Sequence, residues 1–210
     1  PTTTLHELSN QGLHTKPLST PPTLSKSDTI PELTRPIVLD LKQSEPLPKE
    51  AQALVKQVIS LAKQESNVAA KLELVLNQTT PEQRQPEVLS NIIRDVVKHI
   101  PPEKQETVVI KFAESFISSA TDQTKGDVAA TIITAAVKAS PEKAPEIVAK
   151  TIETAVQLVP EKAPEIVGKA IEAAVQTVPE KAPEVVAKAI QTAVQTVPEK
   201  APEVVAKAIQ

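Results

Sequence analysis

Pro141-Glu142-Lys143-Ala144-Pro145-Glu146-Ile147-Val148-Ala149-Lys150 is the stretch whose reading decides the fold. It recurs every 19 residues. Pro141, Pro160, Pro179 and Pro198 each open Pro-Glu-Lys-Ala-Pro-Glu, and an aliphatic run follows each time. Within Pro141–Val159 the apolar residues are spaced by three and four, the helical period. Val148, Ile152, Ala155, Val156 and Val159 form one stripe. Ala144, Ile147, Thr151, Ala155 and Leu158 form a second stripe beside it. Glu146, Lys150, Glu153, Thr154 and Gln157 are left for the outer face. Glu146 and Lys150 stand four apart in the order that favours a pair along one helix.

The prolines set the boundaries. Pro145 suits the first helical position, where a missing N–H costs nothing. Inside a helix it would clash with the carbonyl four residues back. A residue before proline avoids the helical region, so Val159 and Ala163 are expected to be breaks. The unit therefore reads as one helix of about 14 residues and a turn made of Pro-Glu-Lys-Ala. It does not encode one continuous coiled-coil rod.

Chain reach constrains the layout. Such a helix is roughly 21 Å long, and a four- or five-residue linker spans at most roughly 17 Å. Successive helices cannot run parallel side by side, so they alternate or turn steeply. Burial of five or six aliphatics does not repay the ordering of 19 residues, so each helix needs neighbours on two sides. The predicted fold class is all-α, an α-solenoid. The near-identity of the copies predicts equivalent surroundings for every helix. A solenoid of distinct inner and outer helices would alternate two sequences, and no alternation is present.

Working toward the N-terminus, the pattern loosens. Asp122–Ser140 is again 19 long, with Gly126 where Pro145 stands. Pro102-Glu103-Lys104 opens another copy, and Pro86-Glu87-Val88-Leu89 echoes Pro145-Glu146-Ile147-Val148. Helical periods also run through Ala51–Leu61 and Val68–Leu76. Residues 47–140 thus read as divergent repeats forming an N-terminal cap region, and 141–210 as near-identical ones. The chain stops at Gln210, inside a repeat, so further copies are expected in the parent chain. Residues 1–46 are rich in Pro, Ser and Thr and carry little apolar period; they read as an extended arm. Its candidate inter-subunit anchors are Leu18, Leu24, Ile30, Leu33, Ile37, Val38, Leu39 and Leu41.

Composition narrows the function. Aromatics are 1%, only Phe112 and Phe116, and net charge is −3. Arg35, Arg84 and Arg94 are the only arginines. A basic groove with stacking aromatics is missing, which argues against nucleic acid. No apolar run approaches the length of a membrane span. Without cysteine there is neither disulfide nor thiolate metal site. His6, His14 and His99 are scattered, with no carboxylate at ligand spacing. No serine or threonine sits in a nucleophile motif, and Gly12, Gly126 and Gly168 build no phosphate loop. No catalytic, cofactor-binding or metal-binding residue is assigned, no cofactor or small-molecule substrate is expected, and the protein is read as no enzyme. The Glu142–Lys143 pair and its copies mark the turns with opposite charges, read as a solvated edge, with lateral contact between filaments or subunits as the alternative.

The Pro-Glu-Lys-Ala-Pro-Glu-Ile-Val-Ala-Lys unit resembles the Ala-rich, 19-residue helical repeats of large bacterial surface and extracellular proteins. The resemblance covers residues 81–210, strongly from 141 onward, and it transfers no site. It implies an extracellular or cell-surface location, with the cytoplasm also compatible. The sequence reading is a structural protein, a subunit of a repeat-built fibre whose partner is itself and whose arm joins subunits. The alternative is a monomeric solenoid scaffold for a protein or peptide.

Overall fold

The structure, a computed structural model, describes residues 46–64 and 67–209. Residues 1–45 of the arm, with its eight proposed anchors from Leu18 to Leu41, lie outside the described residues. Among those residues the fold is all-helical. Nine helices follow one another: α1 Lys49–Ala62, α2 Val68–Asn77, α3 Pro86–His99, α4 Pro102–Ser119, α5 Lys125–Ala139, α6 Ala144–Leu158, α7 Ala163–Thr177, α8 Ala182–Thr196 and α9 Ala201–Ala208. From α6 onward each full repeat is a 15-residue helix preceded by a Pro-Glu-Lys 3₁₀ turn.

The joint between helices is the same backbone event each time. Val159, Val178 and Val197 end their helices at φ near −140° and ψ near 70° (−144°/68°, −135°/69° and −135°/72°). Each amide still closes the helix behind it: Val159 N–H donates to Ala155 O at 3.0 Å, and Val178 N–H to Ala174 O at 2.9 Å. Each carbonyl then starts the turn ahead, accepting from Lys162 N–H at 3.0 Å and Lys181 N–H at 3.0 Å. The junction thereby satisfies backbone groups that a helix end leaves unpaired, without any side-chain cap.

Val159 is the break that the following proline predicts. Ala163 is not. It sits at φ −50°, ψ −47° and is the first residue of α7, with Pro164 second. The pre-proline restriction disfavours helical dihedrals without forbidding them. Ala182 and Ala201 take the same dihedrals while only partly buried, so the helical start recurs with the turn itself and does not depend on full burial.

The helices stand in two rows. Helices two apart in sequence pack most extensively: α5 on α7, α6 on α8, α3 on α5 and α4 on α6. Consecutive helices touch less, across the space between rows. Odd-numbered helices thus form one row and even-numbered helices the other. Two rows arise without two kinds of sequence, because both rows use the same faces in the same way. Ile152 of α6 and Ile171 of α7 hold the same repeat position in opposite rows, and both are buried. The absence of an alternating sequence therefore does not distinguish one row from two.

The core is a continuous seam of Ile, Val and Ala, widened toward the N-terminus by Leu72, Leu76, Leu89 and Phe112. Leu158, assigned to the second stripe, is 42% exposed instead. It closes the last turn of α6, beyond the reach of the neighbouring row. At α4 the one aromatic pair, Phe112 and Phe116 with centroids 5.8 Å apart, receives the Arg84 guanidinium over the Phe116 ring at 5.1 Å.

Candidate interaction surface

The repeat's polar face is built by one residue pair used across helices. Lys188 of α8 donates from Nζ to Glu146 Oε1 of α6 at 2.8 Å. Lys169 of α7 does the same to Asp127 Oδ1 of α5 at 2.8 Å. Both partners lie 42 residues back, two repeats and one helical turn. The acid stands at the third position of its helix, and the lysine at the seventh position of the helix stacked on it. Lys188 holds the Glu146 carboxyl below the usual glutamate range, chiefly through this hydrogen bond. Asp127 likewise raises the Lys169 ammonium above its usual range, with Glu165 adding to the effect.

The expected pairs along single helices are only partly formed. Glu165 and Lys169 do meet, at 3.2 Å. Lys150 turns instead to Glu153 at 2.8 Å, while Glu146 is taken by Lys188. Spacing within one helix cannot reveal this, because the competing partner arrives from another helix. The signal that could have found it is the recurrence of an acid and a lysine at fixed places in every copy from Pro141 onward.

Between the stacked helices of the even row runs an open groove, lined by Glu106, Lys150, Gln157, Gln191 and Gln195 among others. Its walls mix polar and apolar surface about equally and carry both signs of charge. His99, at the end of α3, is occupied by its own helix, its Nδ1 lying 2.7 Å from Asp95 O. The turn lysines are partly engaged: Lys143 Nζ donates to Pro102 O at 2.5 Å, and Lys162 lies 3.7 Å from Glu165. Among the described residues, no three His, Asp or Glu side chains converge as a metal site would require. No described helix is long and apolar enough to cross a membrane.

What changes along the array is coverage. Ile152, Ile171 and Ile209 hold the same place in α6, α7 and the end of α9. They are 0%, 5% and 74% exposed. Val148 and Val167 are fully buried, whereas their counterpart Val205 is exposed. On α8 the same stripe, Val186 and Ile190, is partly buried against the core.

No family model, curated protein or solved structure matches this chain.

Proposed function

We propose that this protein is a non-enzymatic structural component, a subunit of a repeat-built fibre at the cell surface or outside the cell. The single observation that carries the reading is the uniformity of the polar face. The same acid–lysine contact joins α5 to α7 and α6 to α8, and the near-identical copies leave nothing position-specific to read. A surface that recognised an extended partner would vary from copy to copy; one selected for stacking would not. Arrays whose units contact only their neighbours extend readily, and head-to-tail contacts of the non-closing kind produce filaments. In this reading the partner is another copy of the chain, and the Pro/Ser/Thr-rich arm, residues 1–46, joins subunits through its aliphatic anchors.

Deletion of residues 1–46, followed by electron microscopy, tests the arm: the expected result is loss of long polymers. Unchanged polymers would remove the arm from the joint. The groove beside Lys150 and Gln191 favours one competing reading, a monomeric scaffold holding a peptide. Light scattering separates the two, since a scaffold keeps a concentration-independent monomer mass.

A further inference from the structure

We infer that the groove between α6 and α8 holds an extended peptide by its main chain, whatever that peptide's sequence. The inference goes beyond the fibre reading and does not depend on it, because a monomer and a polymer subunit present this groove alike. The groove runs along the helices. Its α6 wall extends from Glu146 to Gln157 and its α8 wall from Lys188 to Thr196. At 1.5 Å per residue the longer wall is about 16 Å, the length of about five residues of extended chain. The volume is about 660 Å³, within the range of ligand pockets. The α8 wall is the side that already faces α6, since Lys188 pairs with Glu146 from it. Nor does the groove depend on an uncovered helix: α6 has α4 on one side and α8 on the other, and Gln157 is still exposed.

The two rows do not offer the same chemistry here. In the odd row Gln176 of α7 turns its amide to its own helix, donating to Glu172 Oε1 at 3.2 Å. On α8 the place of Glu172 is taken by Gln191, so Gln195 has no acid to bond. On α6 that place is Glu153, but Lys150 holds it at 2.8 Å, so Gln157 is left as well. Among the described residues, Gln157, Gln191 and Gln195 line the groove and make no hydrogen bond to another residue. A glutamine amide both donates and accepts, which matches one edge of an extended main chain. Gln191 and Gln195 stand four residues apart, about 6 Å along the axis. The N–H and C=O groups on one strand edge recur every two residues, about 6.6 Å. The two α8 amides therefore suit one edge, and Gln157 on the facing wall serves the other. Uniform side chains cannot read a varied sequence, but a main chain is itself uniform, so near-identical copies suit this task. Lys150 is paired with Glu153 and Lys188 with Glu146. Among the described residues, that leaves Glu106 of α4 as the carboxylate of the lining outside an ion pair, and a lysine or arginine of the peptide fits there. The lining has no aromatic face for a sugar ring, which favours peptide over glycan.

The test is fluorescence anisotropy, with the purified full chain titrated into a fluorescein-labelled peptide. The probe has about nine residues, one lysine followed by alternating Thr and Ala, and overruns the groove. Wild type is expected to bind it saturably. Gln191→Ala and Gln195→Ala together should weaken binding by about tenfold, through the loss of two hydrogen bonds. Alanine at these helical positions keeps the fold, which circular dichroism checks. Gln176→Ala, in the odd row, should leave binding unchanged. A probe of shuffled sequence should bind within about twofold of the first, whereas one N-methylated at alternate main-chain nitrogens should bind about tenfold more weakly. Absence of saturation at millimolar peptide, equal binding by the double variant, or a shuffled probe as weak as the methylated one overturns the inference. An N-acetylglucosamine oligomer that binds where the peptide does not would make the groove a glycan site and overturn it too. So would self-association that the double variant loses without any peptide binding, which would make the groove a contact between copies. The fibre reading is decided separately, by electron microscopy.

Discussion

Lys188 and Glu146 sit two repeats apart and meet at 2.8 Å, and Lys169 repeats the contact with Asp127. The contact ties α8 to α6 and α7 to α5, neighbours in the same row and not in sequence. Both members are partly exposed, which limits its strength. A double-mutant cycle with Glu146→Gln and Lys188→Met should give a coupling energy of about 0.2–1 kcal/mol. The coupling should shrink as salt is raised.

The same pair predicts a pH dependence. The Glu146 carboxyl is lowered in the fold, so its contribution is fully present above the unfolded glutamate value of about 4.3. It is lost as pH falls through the lower folded value. Lys169 is raised, so its contribution holds below about pH 10.4 and is lost as pH climbs through the folded value. Thermal unfolding across acid pH should therefore fall less steeply for Glu146→Gln than for wild type. Lys169→Met should flatten the alkaline limb.

Equivalent isoleucines should differ in what they contribute. Ile152→Ala opens a cavity in a fully covered site and should cost about 2–5 kcal/mol. Ile209→Ala, at a site 74% exposed, should stay within about 0.5 kcal/mol. Urea unfolding of the two variants reads the difference directly.

Thr151 is fully buried, and its hydroxyl finds no hydrogen-bond partner among the described residues. The next two copies place Ala170 and Ala189 at this position, both fully buried. The seam therefore already accepts alanine there. Thr151→Ala should stabilise by about 1 kcal/mol, through relief of the orphaned hydroxyl and better helix propensity. A denaturation midpoint that moves down would contradict this.

Gly168 offers a second gain. Its counterparts are Ala149 and Ala187, so the helix tolerates a methyl here. An added Cβ would meet Lys207 Cγ at 2.9 Å, and the lysine stem must shift to admit it. Gly168→Ala should still raise stability, by somewhat less than the roughly 1 kcal/mol that alanine gains over glycine within a helix. Its thermal midpoint, set beside that of wild type, measures the gain.

Helix positions and stripes were legible in the sequence because they depend on local rules. Proline at Pro145 and Pro164 fixes where a helix starts, and period fixes which side is apolar. Val159 as a break follows from the proline after it. The two rows were not legible. Ile152 and Ile171 look identical in sequence, and nothing in either says which row it occupies. The pairing of Lys188 was hidden for the same reason: Glu184, on its own helix, is an equally good partner on paper. Ala163 differs from expectation because the pre-proline bias disfavours helical dihedrals without forbidding them, and Ala182 and Ala201 adopt them too. Leu158 was misplaced because period alone extends a stripe past the point where a neighbour can cover it.

The alternation of rows gives repeat number a parity. Losing or duplicating a single 19-residue copy would carry everything beyond it to the opposite side of the array. Losing or duplicating two would restore every distal residue to its original side. Recombination among such similar copies would then be tolerated in even steps, whereas odd steps would turn any distal attachment to face the other way.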